Sequence, residues 1–334
     1  MDGIQPNPTE RSVVMQPDEG PSYWCPVPAN GYAHPKLVPA DTGFDALSMG
    51  FQTIAPGCYI REHSHDSQIE LQVGFKGTGR VVVDGKSHPI EPGTACFLGH
   101  DVKHEIHNES QEDLVMMWVI APSGLEDFFA AIGRPRQPDE PAPEPFARPE
   151  DVVAIEQSLG MMDTGELPEG TEAPGALLPD TRMPHLVGRA LVLQPGEGDS
   201  FWQPKPADGY ADNIFLPENT GFDGLTMGFQ VVPPGRHIRE HTHGSEIEMH
   251  ICMRGTGTIE IGGETAGERH PLVPGTACFV GHNVSHRIIN DGNDDLHMAW
   301  VIAPGGLEDH LSAIGKPRRP GEQAPPSFDR PKSE

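Results

Sequence analysis

Short apolar stretches separated by Gly, Pro, Asp and Asn set the pattern of this chain. Gly79-Arg-Val-Val-Val-Asp84, Cys96-Phe-Leu98 and Leu114-Val-Met-Met-Trp-Val-Ile120 are each too short to be a buried helix. Turn-forming residues bound them at close spacing, which predicts strands. Helical periodicity is clear at one place, where Leu125, Phe128, Phe129 and Ile132 follow i, i+3, i+4, i+7. A further helix is expected from Pro149 to Leu159, with Pro149 in the first helical position. The pattern predicts an all-β protein made of antiparallel barrels or sandwiches, each closed by a short helix.

The pattern also repeats. Arg11-Ser-Val-Val-Met-Gln-Pro17 aligns with Arg189-Ala-Leu-Val-Leu-Gln-Pro195 at an offset of 178 residues, and Met49-Gly-Phe-Gln52 with Met227-Gly-Phe-Gln230. Four extra residues at 265–268 change the offset to 182, after which Pro92-Gly-Thr-Ala-Cys-Phe97 falls on Pro274-Gly-Thr-Ala-Cys-Phe279 and Trp118 on Trp300. A period this long is a duplicated domain and not a solenoid unit. Domains are therefore expected at 11–136 and 189–318. Between them, 137–188 reads as a Pro-rich linker carrying the one helix, and the tail after Pro320 is expected to be mobile.

Composition narrows the partners. The 334 residues carry 23 Lys+Arg against 49 Asp+Glu, a net charge of −26, which argues against nucleic acid as a partner. No apolar run is long enough to span a membrane, and the polar N-terminus lacks a secretory pattern, so a cytoplasmic location is expected. The five cysteines are scattered and never form a C-x-x-C pair, which indicates neither a disulfide framework nor a thiolate zinc site.

The candidate chemistry lies in histidine spacing. In Ile60-Arg-Glu-His-Ser-His-Asp-Ser-Gln-Ile-Glu70, His63 and His65 are two apart and share one face of a strand. Glu70 follows after a turn, and His104 arrives from a later strand. The second repeat supplies His241, His243, Glu248 and His286 in register. Three imidazoles and a carboxylate suit a divalent transition metal, one per repeat, with positions left open for water or substrate. Fe(II) is expected first, with Mn, Ni, Co or Zn as alternatives.

These residues resemble the cupin superfamily. Gly57, His63, His65, Glu70 and Gly77, and likewise Gly235, His241, His243, Glu248 and Gly255, fit its first motif. The stretches from Gly93 to Asn108 and from Gly275 to Asn290 are similar to the second, except that Gly99-His100-Asp101 and Gly281-His282-Asn283 replace Pro-x-Gly. The resemblance implies a bicupin, two double-stranded β-helix barrels in tandem. The trailing Gly-Leu-Glu-Asp and Ile-Gly-x-Pro-Arg patterns are similar to quercetinase-like cupins.

Around the ligands, Arg61 and Arg239 should share the inward face and hold a substrate carboxylate or phenolate. His100 and His282 are placed to orient a ligand. Glu246, Glu248 and His250 share a strand face where the first repeat has Gln68, Glu70 and Gln72, which makes Glu246 a candidate base. Met116 with Trp118, and Met298 with Trp300, are expected to wall an aromatic-accepting pocket. The expected function is a metal-dependent dioxygenase of a small enolisable or phenolic substrate, with Glu70 and Glu248 as ligands and proton acceptors. A metal-dependent decarboxylase, lyase or isomerase is the alternative, followed by a small-ligand binder without catalysis. A homodimer is expected.

Overall fold

The structure, a computed structural model, describes residues 10–163, 183–263 and 267–331. Part of the 265–268 insertion and residues 164–182 of the expected linker lie outside the described residues. The chain forms two compact units, one of Gly20–Ala40 and Phe44–Pro195, the other of Met1–Glu19, Asp41–Gly43 and Gly196–Glu334.

In the unit built on the first repeat, eight strands run in the order Arg134–Pro135, Tyr23–Trp24, Tyr32–Leu37, Ser48–Ile54, Leu114–Ala121, Ile69–Lys76, Ala95–Leu98 and Ala190–Leu193. A second sheet orders Met161–Asp163, Tyr59–His65, His104–His107, Gly79–Val83 and Lys86–Ile90. The described pairings are antiparallel, and alternation sends one side of each strand inward. Ile54, Leu98, Leu114 and Met116 from one sheet meet Val81, Val83, Ile90 and Ile106 from the other in one apolar core. The helix Leu125–Ile132 closes the end with Leu125, Phe128, Phe129 and Ile132 buried, the four positions its periodicity predicts. The expected second helix spans Val152–Ser158.

The unit built on the second repeat has the same plan. Its eight strands are Ser12–Met15, Ala277–Val280, Ile247–Arg254, Leu296–Ala303, Thr226–Val232, Tyr210–Phe215, Asp199–Trp202 and Lys316–Pro317. Its second sheet holds His237–His241, His286–Ile289, Gly257–Ile261 and Glu268–Leu272. Leu307–Ile314 is the closing helix.

The limits of the repeat and the limits of the units differ at their edges. Ser12–Met15 pairs with Ala277–Val280, and Ala190–Leu193 pairs with Ala95–Leu98. Each unit thus takes an outer strand from the segment that opens the other repeat. Ala95-Cys-Phe and Ala277-Cys-Phe are identical acceptors, so pattern alone cannot tell which of them a strand completes.

The stretch after each closing helix also differs from expectation. In one unit the Val27 amide donates to the Phe146 carbonyl at 2.9 Å, and Arg134 lies 3.9 Å over the Phe146 ring. In the other the Lys205 amide donates to Phe328 at 2.9 Å, and Lys316 lies 4.0 Å over that ring. The start of the linker and the tail expected to be mobile are equivalent docked arms.

The asparagines of the second motif hold a loop. Asn108 Nδ2 donates to the carbonyls of Ile54 and Glu112 at 2.8 and 2.7 Å, and its Oδ1 accepts from the Ser110 amide at 3.0 Å. Asn290 repeats this with Val232, Asp294 and Gly292. Removing the amide strands buried carbonyls, so Asn290→Ala is expected to cost about 2 to 3 kcal/mol in urea unfolding while leaving metal content unchanged. An unshifted unfolding midpoint would show that the amide holds nothing.

Candidate metal centres and their cavities

Strand geometry converges the predicted ligands. His63 and His65 lie at alternate positions of Tyr59–His65, Glu70 near the start of Ile69–Lys76, and His104 opens a strand in register with His63. One nitrogen or oxygen from each of the four lies within 4.8 Å of the others, and the same holds for His241, His243, Glu248 and His286. Glu70 Oε2 is 3.0 Å from His104 Nε2 and 3.2 Å from His65 Nε2. Glu248 Oε2 is 2.9 Å from His243 Nε2 and 3.0 Å from His286 Nε2.

The tautomers suit a metal. The Nδ1 atoms of His63 and His104 face the carbonyls of Arg61 and Val102 at 2.9 and 3.0 Å, and His241 and His286 face Arg239 and Val284 in the same way. A proton held on Nδ1 leaves the Nε2 lone pair for an ion. In these four rings the orienting role expected of His100 and His282 is filled by backbone. His65 Nε2 is buried and faces Glu70 without hydrogen-bond alignment, as a ligand atom would.

Charge states follow from burial and neighbours. Burial pushes the Glu70 carboxyl up, but the His104 and His65 imidazoles beside it outweigh burial and hold the group well below the usual range. Glu248 is likewise held down, against its burial, by the neighbouring His250, His243 and His286 imidazoles. Burial, then the neighbouring imidazoles, hold His63 low and bring His241 to about 4. His243 moves the other way, raised against its burial by the Glu248 carboxylate beside it. The carboxylate anions and the lowered His63 and His241 are the states that a divalent ion binds.

The two centres differ at one strand. Gln72 Nε2 donates to Glu70 Oε1 at 2.6 Å, whereas in the other unit His250 Nε2 stands 3.1 Å from Glu248 Oε2. Gln68 binds the carbonyls of Pro122 and Ser123, whereas Glu246 lines a cavity together with His250 and Glu248. That cavity encloses about 360 Å³, and the one beside His63 about 80 Å³.

The cupin domain family matches the chain twice, at residues 50–120 and 228–302, each match falling on one of these centres. The protein is a bicupin. Residues 50–120 and 228–302 hold both ligand sets, so the family's barrel and its metal-binding residues coincide in each half. The bicupin is similar to an oxalate-binding protein of Thermotoga maritima, 34% identical over 71 residues, 21% of this chain and 55% of that protein. It also resembles a dimethylsulfoniopropionate lyase of Ruegeria pomeroyi, 33% identical over 58 residues, 17% of this chain and 38% of that protein. These matches span about half or less of the relatives' own lengths. Among solved structures, Bacillus subtilis oxalate decarboxylase, a protein with Mn(II) centres, shares the fold with a TM-score of 0.55 at 14% identity, covering 88% of this chain and 77% of that one. The bicupin's relatives thus include enzymes, and among its described residues no helix is long and apolar enough to cross a membrane.

The remaining expected site residues divide. Arg61 and Arg239 line the first and second cavities. Trp118 and Trp300 do not wall them: each is 1% exposed. Phe129, which lines the first cavity, packs on Trp118 with ring centroids 5.9 Å apart, and Leu311 packs with Trp300 in the other unit. Gly50 explains the depth of Trp118, since a Cβ there would stand 2.5 Å from the indole. Met116 and Met298 are core as well.

The cavity residues that spacing did not single out include Arg148 and Glu156 in the first cavity and His310 and Arg330 in the second. Phe146-Ala-Arg-Pro149 and Phe328-Asp-Arg-Pro331 keep the offset of 182. Following that offset past 136 would have found the two arginines.

With one ligand set per unit, His63→Ala and His241→Ala are each expected to remove about one of two metal equivalents, read by elemental mass spectrometry on untagged protein. Two equivalents retained by either variant would show that its histidine is not a ligand.

Proposed function

We propose that the bicupin is a metal-dependent dioxygenase of a small enolisable or phenolic compound, turning over in the cavity beside His241, His243, Glu248 and His286. The observation that carries this reading is the second cavity. At about 360 Å³ it has the size of a small-molecule site, and Glu248, His241 and His243 form part of its wall. His241, His243, Glu248 and His286 would hold the ion. An ion of the Fe(II) or Mn(II) class supplies charge stabilisation for an enolate or phenolate and a route for electrons to O2.

The chain's own groups do the rest. Ile238, Leu307, Leu311 and Ile314 give the cavity an apolar side that suits a ring and excludes water. Glu246, held by Ser245 Oγ at 2.7 Å, is placed to accept the enol or phenol proton at its carboxylate. His250 Nε2 stands 3.1 Å from the Glu248 carboxylate on the same wall. The same Glu246 and His250 favour a second reading, since a carboxylate and an imidazole beside a Lewis acid also serve decarboxylation, elimination or isomerisation without oxygen.

Oxygen uptake by untagged protein over a panel of phenols and 1,3-dicarbonyls separates the two. Substrate-dependent uptake is expected, reduced roughly 100-fold or more by His241→Ala and less than about threefold by His63→Ala. Bound metal with product formed and no uptake would favour the non-redox reading. Uptake lost in His63→Ala and kept in His241→Ala would move the working site to the first repeat.

A further inference from the structure

Each cavity holds two arginines from equivalent positions. Arg61 and Arg239 lie two residues before the first ligand histidine of their repeats. Arg148 and Arg330 come from the docked arms that follow each closing helix. In the first cavity the pair has a carboxylate. Glu156, on the helix Val152–Ser158 and 5% exposed, bonds to Arg148 Nη2 and stands 3.8 Å from Arg61 Nη2. The chain itself thus shows what these two guanidiniums accept.

The second cavity has the arginines without an acid paired to them, although Glu246 and Glu248 form another part of its wall. Among the described residues, neither Arg239 nor Arg330 has a carboxylate within ion-pair distance, and Arg330 Nε is buried with no hydrogen-bond partner. Burial, then the charge of Arg239, push the Arg330 guanidinium below its ordinary range, so the two cations feel each other. His310 stands where the first cavity has Phe128. Its imidazole is held low by burial and by Arg330 and Arg239, which leaves it a neutral hydrogen-bonding group on the same wall. Two like charges facing one cavity repel until an anion lies between them. A bidentate carboxylate has the matching geometry.

We infer that Arg239 and Arg330 form a carboxylate clamp for an external ligand in the second cavity, the position that Glu156 fills in the first. This adds a required carboxylate to the substrate class and rests on the second cavity being the working site. Arg239 and Arg330 are binding residues; they fix the acid end of the ligand while its other end reaches toward Glu248.

Calorimetric titration of the metal-loaded protein with benzoate, and with benzamide as its neutral isostere, tests the clamp. Benzoate is expected to bind at about one per chain and about tenfold or more tighter than benzamide. Arg330→Gln and Arg239→Gln should each remove that preference, with metal content and circular dichroism unchanged. Arg330→Lys, which keeps the charge without the fork, should retain part of it. A preference that survives Arg330→Gln belongs to the metal and overturns the clamp, as does equal affinity for benzoate and benzamide. The two readings fail separately: preference lost on substitution with no turnover of any compound retires the enzyme and leaves the clamp, whereas turnover without preference does the reverse.

Discussion

Burying a carboxylate between two sheets costs several kcal/mol unless cations or hydrogen bonds surround it, and each unit of this bicupin is organised around one such group. Glu70 and Glu248 are 1% and 2% exposed, and imidazoles from two further strands converge on each. The strands cannot shift register by one residue without turning these side chains to the wrong face. The metal-binding set is therefore also a constraint on pairing. It ties the strand that opens with His104 to the one that carries His63 and His65, and the strand that opens with His286 to the one that ends at His241.

On that shared frame the two centres have diverged through few positions. An amide beside Glu70 is an imidazole beside Glu248, and Gln68 is replaced by Glu246. The surroundings differ more. Met161–Asp163 pairs with the outer edge of Tyr59–His65 in one unit, while among the described residues His237–His241 ends its sheet in the other. The helix Val152–Ser158 and its Glu156 lie at the smaller cavity. The segment after the first repeat thus supplies a strand and an acid to the first unit that the second unit does not show among its described residues.

The β architecture, the closing helices and both ligand sets were legible because strand alternation and motif spacing are local properties that a duplication displays twice. The tryptophans were misread because alternation places Trp118 inward without saying how deep; Gly50 on one side and Phe129 on the other decide that. Arg148 and Arg330 were missed because their segments look like proline-rich connections, and what anchors them is an aromatic ring under a cation. The edge strands Ser12–Met15 and Ala190–Leu193 were visible as strands, but their partners were not, since both acceptors share the same sequence.

Those edge strands bear on how the two halves of the gene product can be separated. The stretch 189–318, cut out alone, keeps Ala190–Leu193 and lacks Ser12–Met15, so Ala277–Val280 becomes a bare edge with free amides and carbonyls along one side. The stretch 11–136 has the converse defect. Each fragment would carry an unpaired strand and an unfilled groove that fit one another's sequence, a composition that leads single repeats to associate or aggregate. The duplicated chain is a tandem in sequence, yet its smallest self-sufficient piece of β structure includes strands from both copies.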